Sequence, residues 1–219
     1  MALGLKKNGS SVGASLAYWL GNPILNPATL VFMGFVLGWH WVGLRLVVGV
    51  FLVFLVAYVV GRFVDHDEGR SPALPLTEPE ESELGASIWM LWLKSLWRLS
   101  GGVIPEYIIL VCLLGAVRAW LFPAVTPAVN GFSWTLLLAF TGTLFVIPTA
   151  GEIPIVQTLM SFGLGVGPSA ALLTALPALS LPSLLMLYRA IPAKALAITW
   201  LAVFLASILS AGAASLLGF

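Results

Sequence analysis

Charged residues and cysteine are both scarce in this sequence. Only 9% of its 219 residues are charged and 60% are hydrophobic, whereas a soluble globular domain carries about 25% charged residues. So few charges could not cover the surface of a soluble globule of this size. The composition therefore predicts a protein that crosses a lipid bilayer several times. The single cysteine, Cys112, excludes an internal disulfide, a cysteine-based zinc site and an iron–sulfur cluster within this chain.

Acidic residues are almost absent outside one segment. Seven of the nine lie between Asp65 and Glu83, which leaves only Glu106 and Glu152 in the apolar remainder. The net formal charge of +1 provides no basic face for a nucleic acid. The sequence also lacks a His-Glu-x-x-His motif, a nucleophile elbow, an Asp-rich diphosphate motif and a phosphate-binding P-loop. We therefore expect no enzyme, no cofactor and no nucleic-acid partner, and the lipid bilayer as the main surrounding.

Long apolar runs predict an all-α, polytopic transmembrane fold. A spanning helix needs about 20 apolar residues, and proline interrupts two of the runs that reach this length. One segment, 152–163, is too short to span unaided, so it is predicted to be re-entrant or half of a broken helix. The candidate spans are 12–38, 43–63, 103–122, 131–148, 166–188 and 195–217.

The chain divides into three parts by composition. Residues 1–63 hold the first apolar unit, and residues 101–219 hold the second transmembrane bundle. Between them, residues 64–100 contain an acidic, proline-containing loop and then the Trp-rich stretch "ASIWMLWLKSLWRLS". That stretch is either an amphipathic helix on the membrane surface or an extension of the next span. The positive-inside rule places this middle part in the cytoplasm of a multi-pass inner-membrane protein, because it carries or adjoins Arg62, Arg70, Lys94 and Arg98.

Residues 2–32 and 156–186 form an internal repeat at a constant offset of 154. The glycine and proline matches carry the most weight, because each fixes a backbone conformation. Basic residues precede the first copy and follow the second, which predicts two inverted copies with Pro-broken helices, as in many secondary transporters. The alternative is two similar helices without a shared fold. The nine identities are Leu5, Gly9, Val12, Gly13, Ser15, Ala17, Pro23, Leu25 and Leu30, each matched 154 residues later.

Two prolines interrupt the long helix of each copy. In "GNPILNPATL", Asn22 and Asn26 are predicted to be N-caps, each followed by proline at the first helical position. Non-helical backbone at membrane depth is tolerated where it is buried in protein or lines a wet cavity. Its free amide groups could hold an anionic or electron-rich group. The alternative is that both asparagines cap a kink and bind nothing.

Glu152 is the second predicted site feature, in the stretch "PTAGEIPIVQT". A carboxylate in an apolar region is costly and indicates function by default, here the holding of a proton or a cation. The alternative is an interfacial glutamate that caps the helix at Pro154. The predicted substrate and translocation residues are Asn22, Pro23, Asn26, Pro27, Thr29, Glu152, Pro154, Gln157, Pro177, Ser180, Pro182 and Ser183.

The stretches around the Asn-Pro pairs and "GEIP" resemble the predicted permease family that includes YraQ and the ArsP-type organoarsenical efflux permeases. This resemblance covers most of the chain outside 64–100 and implies a multi-spanning permease of the plasma membrane. Members are typically longer and carry a cysteine-rich, Pro-flanked motif ahead of the point where this chain begins. The one cysteine here, Cys112, lies outside that motif, so the resemblance implies a permease more strongly than an arsenical exporter.

Two functions follow from the sequence. The first is a secondary permease that moves a small solute, such as a metalloid or organoarsenical compound, between the two proline-interrupted helices. The alternative is a non-transporting or half-transporter membrane subunit that needs an N-terminal partner chain or a homo-oligomer. This alternative arises because the second copy is preceded by "GEIP", whose counterpart in the first copy would precede Met1.

Overall fold

The computed structural model describes residues 10–64, 130–147, 149–188 and 191–219, together with Trp89, Met90, Leu93 and Trp97. The chain forms two compact units, residues 1–74 with 125–219 and residues 75–124. The helices named below belong to the first unit. In the second unit, the four described residues are helical and exposed. The predicted span 103–122, and nearly all of the predicted loop and Trp-rich stretch, lie outside the described residues.

The described part of the chain is helical and contains no strand, in agreement with the predicted all-α class. Within this described part, three stretches are long and apolar enough to cross a membrane: Trp39–Phe63, Val166–Tyr188 and Ala193–Leu217. The helices are α1 (Val12–Ile24), α2 (Pro27–Val36), α3 (Trp39–Phe63), α4 (Phe132–Gly142), α5 (Glu152–Ser161), α6 (Val166–Ala178), α7 (Leu181–Tyr188) and α8 (Ala193–Leu217).

Two predicted apolar segments form short helices. The run 131–148 contains α4, which has 11 residues, and the segment 152–163 contains α5, which has 10. Each is shorter than the roughly 20 residues that a spanning helix needs. In the case of 131–148, the helix stops at Gly142, because the N–H of Thr143 turns back to the carbonyl of Phe140 instead of continuing the α-helical pattern.

Helices α3 and α8 lie side by side in opposite directions. At one end, Nζ of Lys194 donates to the carbonyl of Phe63, 3.4 Å away. At the other end, the ring of Phe219 lies 4.9 Å from that of His40 and 5.4 Å from that of Trp41, measured between centroids. Each helix has 25 residues, or about 37 Å at 1.5 Å per residue. Contacts at both ends of such long helices define an antiparallel pair.

The helix bounds recur at the offset seen in the sequence. Helices α1 and α6 both have 13 residues, α3 and α8 both have 25, and in each pair both bounds differ by 154. The buried positions of α3 recur in α8 in the same way, although the side chains differ. They are Trp41, Val42, Arg45, Gly49, Leu52, Val56 and Val60 in α3, and Ala195, Leu196, Thr199, Val203, Ala206, Ser210 and Ala214 in α8.

A glycine lets two helices pack closely at two equivalent places, α1 against α3 and α6 against α8. A Cβ atom added to Gly13 of α1 would lie 2.9 Å from the backbone nitrogen of Gly61 in α3. A Cβ added to Gly167 of α6 would lie 2.8 Å from Oγ of Ser215 in α8. These two contacts are also related by 154 positions. Because neither crossing leaves room for a methyl group, glycine sets the distance between the helices.

The hydrophobic core places the helix junctions and α5 together. One cluster contains Ile24 from the end of α1 and Ala178 and Leu179 from the end of α6. A second cluster contains Met33 of α2 and Ile153 of α5, along with side chains of α6. The core therefore holds the ends of α1 and α6 in one cluster and the start of α5 against α2.

Candidate functional site

The junction between α1 and α2 leaves two backbone carbonyls without helical donors. Pro27 has no N–H, so it cannot bond the carbonyl of Pro23 four residues earlier. The N–H of Ala28, which would bond the carbonyl of Ile24 in a continuous helix, is instead directed to Oδ1 of Asn26 at 3.0 Å. Asn26 is thus the N-cap of α2, with Pro27 at the first helical position, as the sequence predicted.

Arg45 of α3 supplies the missing donors. Its Nε donates to the carbonyl of Ile24 and its Nη2 to the carbonyl of Pro23, both at 3.0 Å. The planar guanidinium group presents several N–H groups in fixed directions, which suits two neighbouring acceptors. Arg45 is only 4% exposed. Its charge is therefore oriented by the junction that the prolines and Asn26 create.

The same guanidinium group forms a buried ion pair with Glu152. Nη1 of Arg45 lies 2.9 Å from Oε1 of Glu152 at the start of α5. Glu152 is 2% exposed and is the only acidic residue in the described part of the chain. Charged side chains at membrane depth are costly, pair with one another, and mark transport pathways. The ion pair thus links α5 to α3 and, through the other bonds of Arg45, to the α1–α2 junction, within an apolar interior.

Gly49 allows the junction to reach Arg45. It lies four residues, about one helical turn, after Arg45 on α3. A Cβ atom on Gly49 would lie 2.5 Å from Cγ2 of Ile24 and 2.9 Å from Cδ2 of Leu25. A larger residue would push the end of α1 away from α3. Glycine at this position therefore keeps the two carbonyls within hydrogen-bonding distance of the guanidinium group.

The second junction, between α6 and α7, carries hydroxyl groups and no ion pair among the residues that the structure describes. Oγ of Ser180 is hydrogen-bonded to Oγ of Ser183, and the N–H of Leu181 donates to the carbonyl of Leu144 at 3.2 Å. Thr199 of α8 takes the position that Arg45 has in α3, but its hydroxyl donates to the carbonyl of Ala195 within its own helix. The two junctions thus differ in charge.

Five predicted site residues meet at the first junction. Pro23 contributes its carbonyl, Asn26 and Pro27 start α2, and Glu152 binds Arg45. Thr29 is buried, and its N–H lies 3.4 Å from Oδ1 of Asn26. The structure therefore brings together four residues of the Asn-Pro stretch and Glu152 of "GEIP", although the two motifs are far apart in the sequence.

The prediction that Asn22 caps a helix starting at Pro23 is wrong. Asn22 is exposed inside α1, which continues to Ile24 with Pro23 within it. A single proline removes one donor, and the helical pattern resumes when the N–H of Leu25 donates to the carbonyl of Gly21 at 2.9 Å. Only the second Asn-Pro pair, where Asn26 redirects further N–H groups, ends the helix.

The remaining predicted residues lie at other places. Pro154 and Gln157 are exposed on α5, Pro177 is half-buried inside α6, and Pro182 is exposed on α7. No hydrogen bond among the described residues joins the Ser180–Ser183 pair to Glu152. Sequence reasoning missed Arg45, although a lone arginine within the apolar stretch "WVGLRLVVGV" was the available signal.

A surface groove of about 870 Å³ lies at a different place, between Asn130, the start of α6 and the end of α8. Among the described residues that line this groove, most are apolar, none is charged and none is a predicted site residue. Within the described residues, no group of three or more His, Cys, Asp or Glu side chains could hold a metal ion. The Arg45–Glu152 pair therefore remains the candidate site.

Comparisons with known proteins agree with a membrane transport function. A family model described as a predicted permease, ArsP_1, matches residues 1–215. The UPF0718 protein YraQ of Escherichia coli is 46% identical over 217 residues, which are 99% of this chain and 62% of YraQ. The UPF0718 protein MJ0584 of Methanocaldococcus jannaschii is 38% identical over 113 residues, 50% of this chain and 31% of the relative. The chain thus spans about three fifths of the length of YraQ. No solved structure matches it.

Proposed function

The chain belongs to the ArsP_1 family of predicted permeases, and on that premise we propose that it acts in a secondary permease that moves a small solute through the region of its two helix junctions. The observation that carries this proposal is the buried Arg45–Glu152 pair, 2.9 Å apart, at the α1–α2 junction. A buried charge pair surrounded by apolar helices is the arrangement expected of a substrate or ion pathway.

We further propose that α1–α3 and α6–α8 are inverted copies of one three-helix unit. The shared helix bounds, the matching buried positions and the equivalent glycine crossings at Gly13 and Gly167 support two copies. The antiparallel arrangement of α3 and α8, the third helix of each copy, supports the inversion. In transporters built this way, the substrate site lies where the broken helices of the two copies meet.

The ion pair connects the first proposed copy with α5, the helix next to the second copy. Arg45 belongs to the first, whereas Glu152 begins the helix that directly precedes the second. Alternating access in such transporters is largely a rocking of one copy against the other. Rocking would therefore break or form the contact between Arg45 and Glu152. We propose that this contact acts as a gate, which closes the pathway when it forms and opens it when it breaks.

The proposed orientation follows from the basic residues. With Arg62 and residues 64–100 in the cytoplasm of a multi-pass inner-membrane protein, α3 starts on the outer side. Arg45 is the seventh residue of α3, about 9 Å from its start at 1.5 Å per residue. The gate would then lie in the outer half of the membrane. The solute class is proposed from the resemblance alone and is a metalloid or organoarsenical compound moved outward.

A transport assay with two variants tests the proposed site. Everted membrane vesicles containing the wild-type chain would be supplied with arsenite or methylarsenite, and accumulation would be measured over time. We expect Glu152→Gln and Asn26→Ala to slow accumulation, and Asn22→Ala, an exposed asparagine in the same stretch, to leave it unchanged. If Glu152→Gln and Asn26→Ala both transport at the wild-type rate, the site assignment is wrong.

The alternative function is a half-transporter or non-transporting membrane subunit that works with a partner chain or a second copy. Purification in mild detergent followed by mass measurement of the intact complex separates the two proposals. A monomer that transports would exclude the alternative, and transport seen only in a larger assembly would support it.

A further inference from the structure

We propose that Glu152 is a proton-binding site and that its protonation releases α5 from Arg45. This inference rests on the proposed permease function, to which it adds the coupling ion and the moving element. Its basis is an asymmetry within the ion pair. Two backbone carbonyls hold Arg45 independently of Glu152. A proton on Glu152 would therefore break the pair and leave Arg45 in place.

Arg45 is anchored independently of Glu152. Its Nε and Nη2 are bonded to the carbonyls of Ile24 and Pro23, both at 3.0 Å. Because a guanidinium group keeps its proton in proteins, Arg45 remains charged and remains at the junction when Glu152 changes state. Glu152, by contrast, has Arg45 as its one charged partner within the described part of the chain. Glu152 is therefore the member of the pair that can take up a proton.

Helix α5 has the properties of a movable element. It has only 10 residues, and residues with positive φ lie close to both of its ends, Ala150 at 66° and Gly163 at 99°. A positive φ is unfavourable for alanine, so Ala150 is held in this conformation by its surroundings. The Glu152–Arg45 pair, next to Ala150, is the one charged contact that α5 makes among the described residues. Loss of that contact would leave α5 held by the apolar contacts of Ile153, Val156 and Leu159 alone.

The groups around α5 assign the response to Glu152. Helices α2 and α6, which pack against α5, contain no titratable side chain, and α5 itself contains only Glu152. On α3, the charged group that faces Glu152 is Arg45, whereas the ring of His40 lies against those of Trp41 and Phe219. Among the groups that the structure describes, Glu152 is therefore the one whose protonation would change α5.

Protonation changes the charge balance of the site. With Glu152 ionised, the buried pair is neutral, and its attraction holds α5 against α3. With Glu152 protonated, Arg45 carries an uncompensated buried charge, which is unfavourable unless water reaches it. Movement of α5 would admit that water. The attachment of α5 therefore depends on the ionised form of Glu152 and is lost when Glu152 binds a proton.

Hydrogen exchange of the purified full chain in lipid nanodiscs tests the proposal. Exchange of peptides covering 150–163 would be measured at about pH 8 and about pH 5 and corrected for the intrinsic pH dependence of exchange. We expect protection of α5 in the wild type to fall about tenfold at the lower pH. We expect Glu152→Gln, which imitates the protonated state, to show the lower protection at both pH values. Glu152→Asp, which can still titrate, should retain a pH response.

Peptides from α8 serve as the folding control, since their protection should not change between the variants. The proposal is wrong if protection of α5 in the wild type is the same at both pH values, or if Glu152→Gln keeps the pH response. The vesicle assay separates this failure from that of the proposed function. Slow transport by Glu152→Gln with no pH response in α5 would exclude only the proton site. A pH response that Glu152→Gln removes, with unchanged transport, would exclude only the proposed transport site.

Discussion

Nη1 of Arg45 lies 2.9 Å from Oε1 of Glu152, and neither side chain is more than 4% exposed. The two residues are 107 positions apart in the chain. Arg45 also donates to the carbonyls of Pro23 and Ile24, so one guanidinium group serves three acceptors. Replacing Arg45 therefore removes three hydrogen bonds, whereas replacing Glu152 removes only the one between the two side chains.

We expect Arg45→Met to lower the free energy of unfolding by about 3–5 kcal/mol, the usual effect of breaking a buried pair by removing one partner. It leaves a buried carboxylate and two carbonyls without donors. Glu152→Gln should cost less, because Arg45 keeps its hydrogen bonds to the carbonyls of Pro23 and Ile24. Denaturant titration in detergent would measure both. Arg62→Met, an exposed arginine on the same helix, is the control and should cost less than about 1 kcal/mol. Equal losses from Arg45→Met and Arg62→Met would contradict the buried pair.

Asn26 and Asn22 make a second matched pair for mutation. Asn26→Ala removes the N-cap of α2, which accepts from the N–H groups of Ala28 and Thr29. The expected loss in stability is about 1 kcal/mol. Asn26→Asp, which keeps the acceptor, should lose less. Asn22→Ala changes an exposed residue inside α1 and should be neutral or slightly stabilising, because alanine favours a helix. Denaturant titration of all three variants checks this, and a larger loss for Asn22→Ala than for Asn26→Ala would contradict the assigned cap.

The two Asn-Pro pairs show which features of this site could be predicted from the sequence. Both present the same dipeptide, and both were predicted to start a helix, yet only Asn26 does so. The difference depends on which backbone donors remain after each proline and on whether a neighbouring helix can satisfy the released carbonyls. Here Arg45 of α3 does so, and its approach depends on Gly49. The sequence alone does not show that α3 lies beside the α1–α2 junction. The break in the helix could therefore be predicted, but its contact with Arg45 could not.

The apolar runs were more informative about the fold than about the site. They predicted the all-helical class and the two 25-residue helices α3 and α8 to within a few residues, because length and hydropathy determine a span. They also drew attention to Glu152, since a carboxylate is conspicuous in an apolar segment. Gln157, only five residues later, was predicted for the same site but is exposed on α5. Which face of a short helix is buried depends on its tertiary neighbours.

Gly13 provides a third prediction. A Cβ atom at this position would lie 2.7 Å from the carbonyl oxygen of Ala57 and 2.9 Å from the nitrogen of Gly61, both backbone atoms that cannot turn aside. We expect Gly13→Ala to lower the free energy of unfolding by about 1–3 kcal/mol through overpacking. Gly43→Ala is the control, because nothing lies within 4 Å of a Cβ there. It should be neutral or stabilising by up to about 1 kcal/mol. Thermal unfolding in detergent compares them, and similar effects would contradict the close crossing.

Gly49 permits the sharpest test of how the junction is held. Gly49→Ala places a methyl group against Cγ2 of Ile24 and should move the end of α1 away from Arg45, at a cost of about 1–3 kcal/mol. Ile24→Ala removes the atom that clashes, so Gly49→Ala should cost less in that background. We expect a coupling energy of at least about 0.5 kcal/mol, measured by denaturant titration of the two single variants and the double variant. Gly43→Ala combined with Ile24→Ala should be additive within about 0.5 kcal/mol, since Gly43 has no neighbour at the junction. Additivity for Gly49 as well would show that Ile24 does not set the distance between α1 and α3.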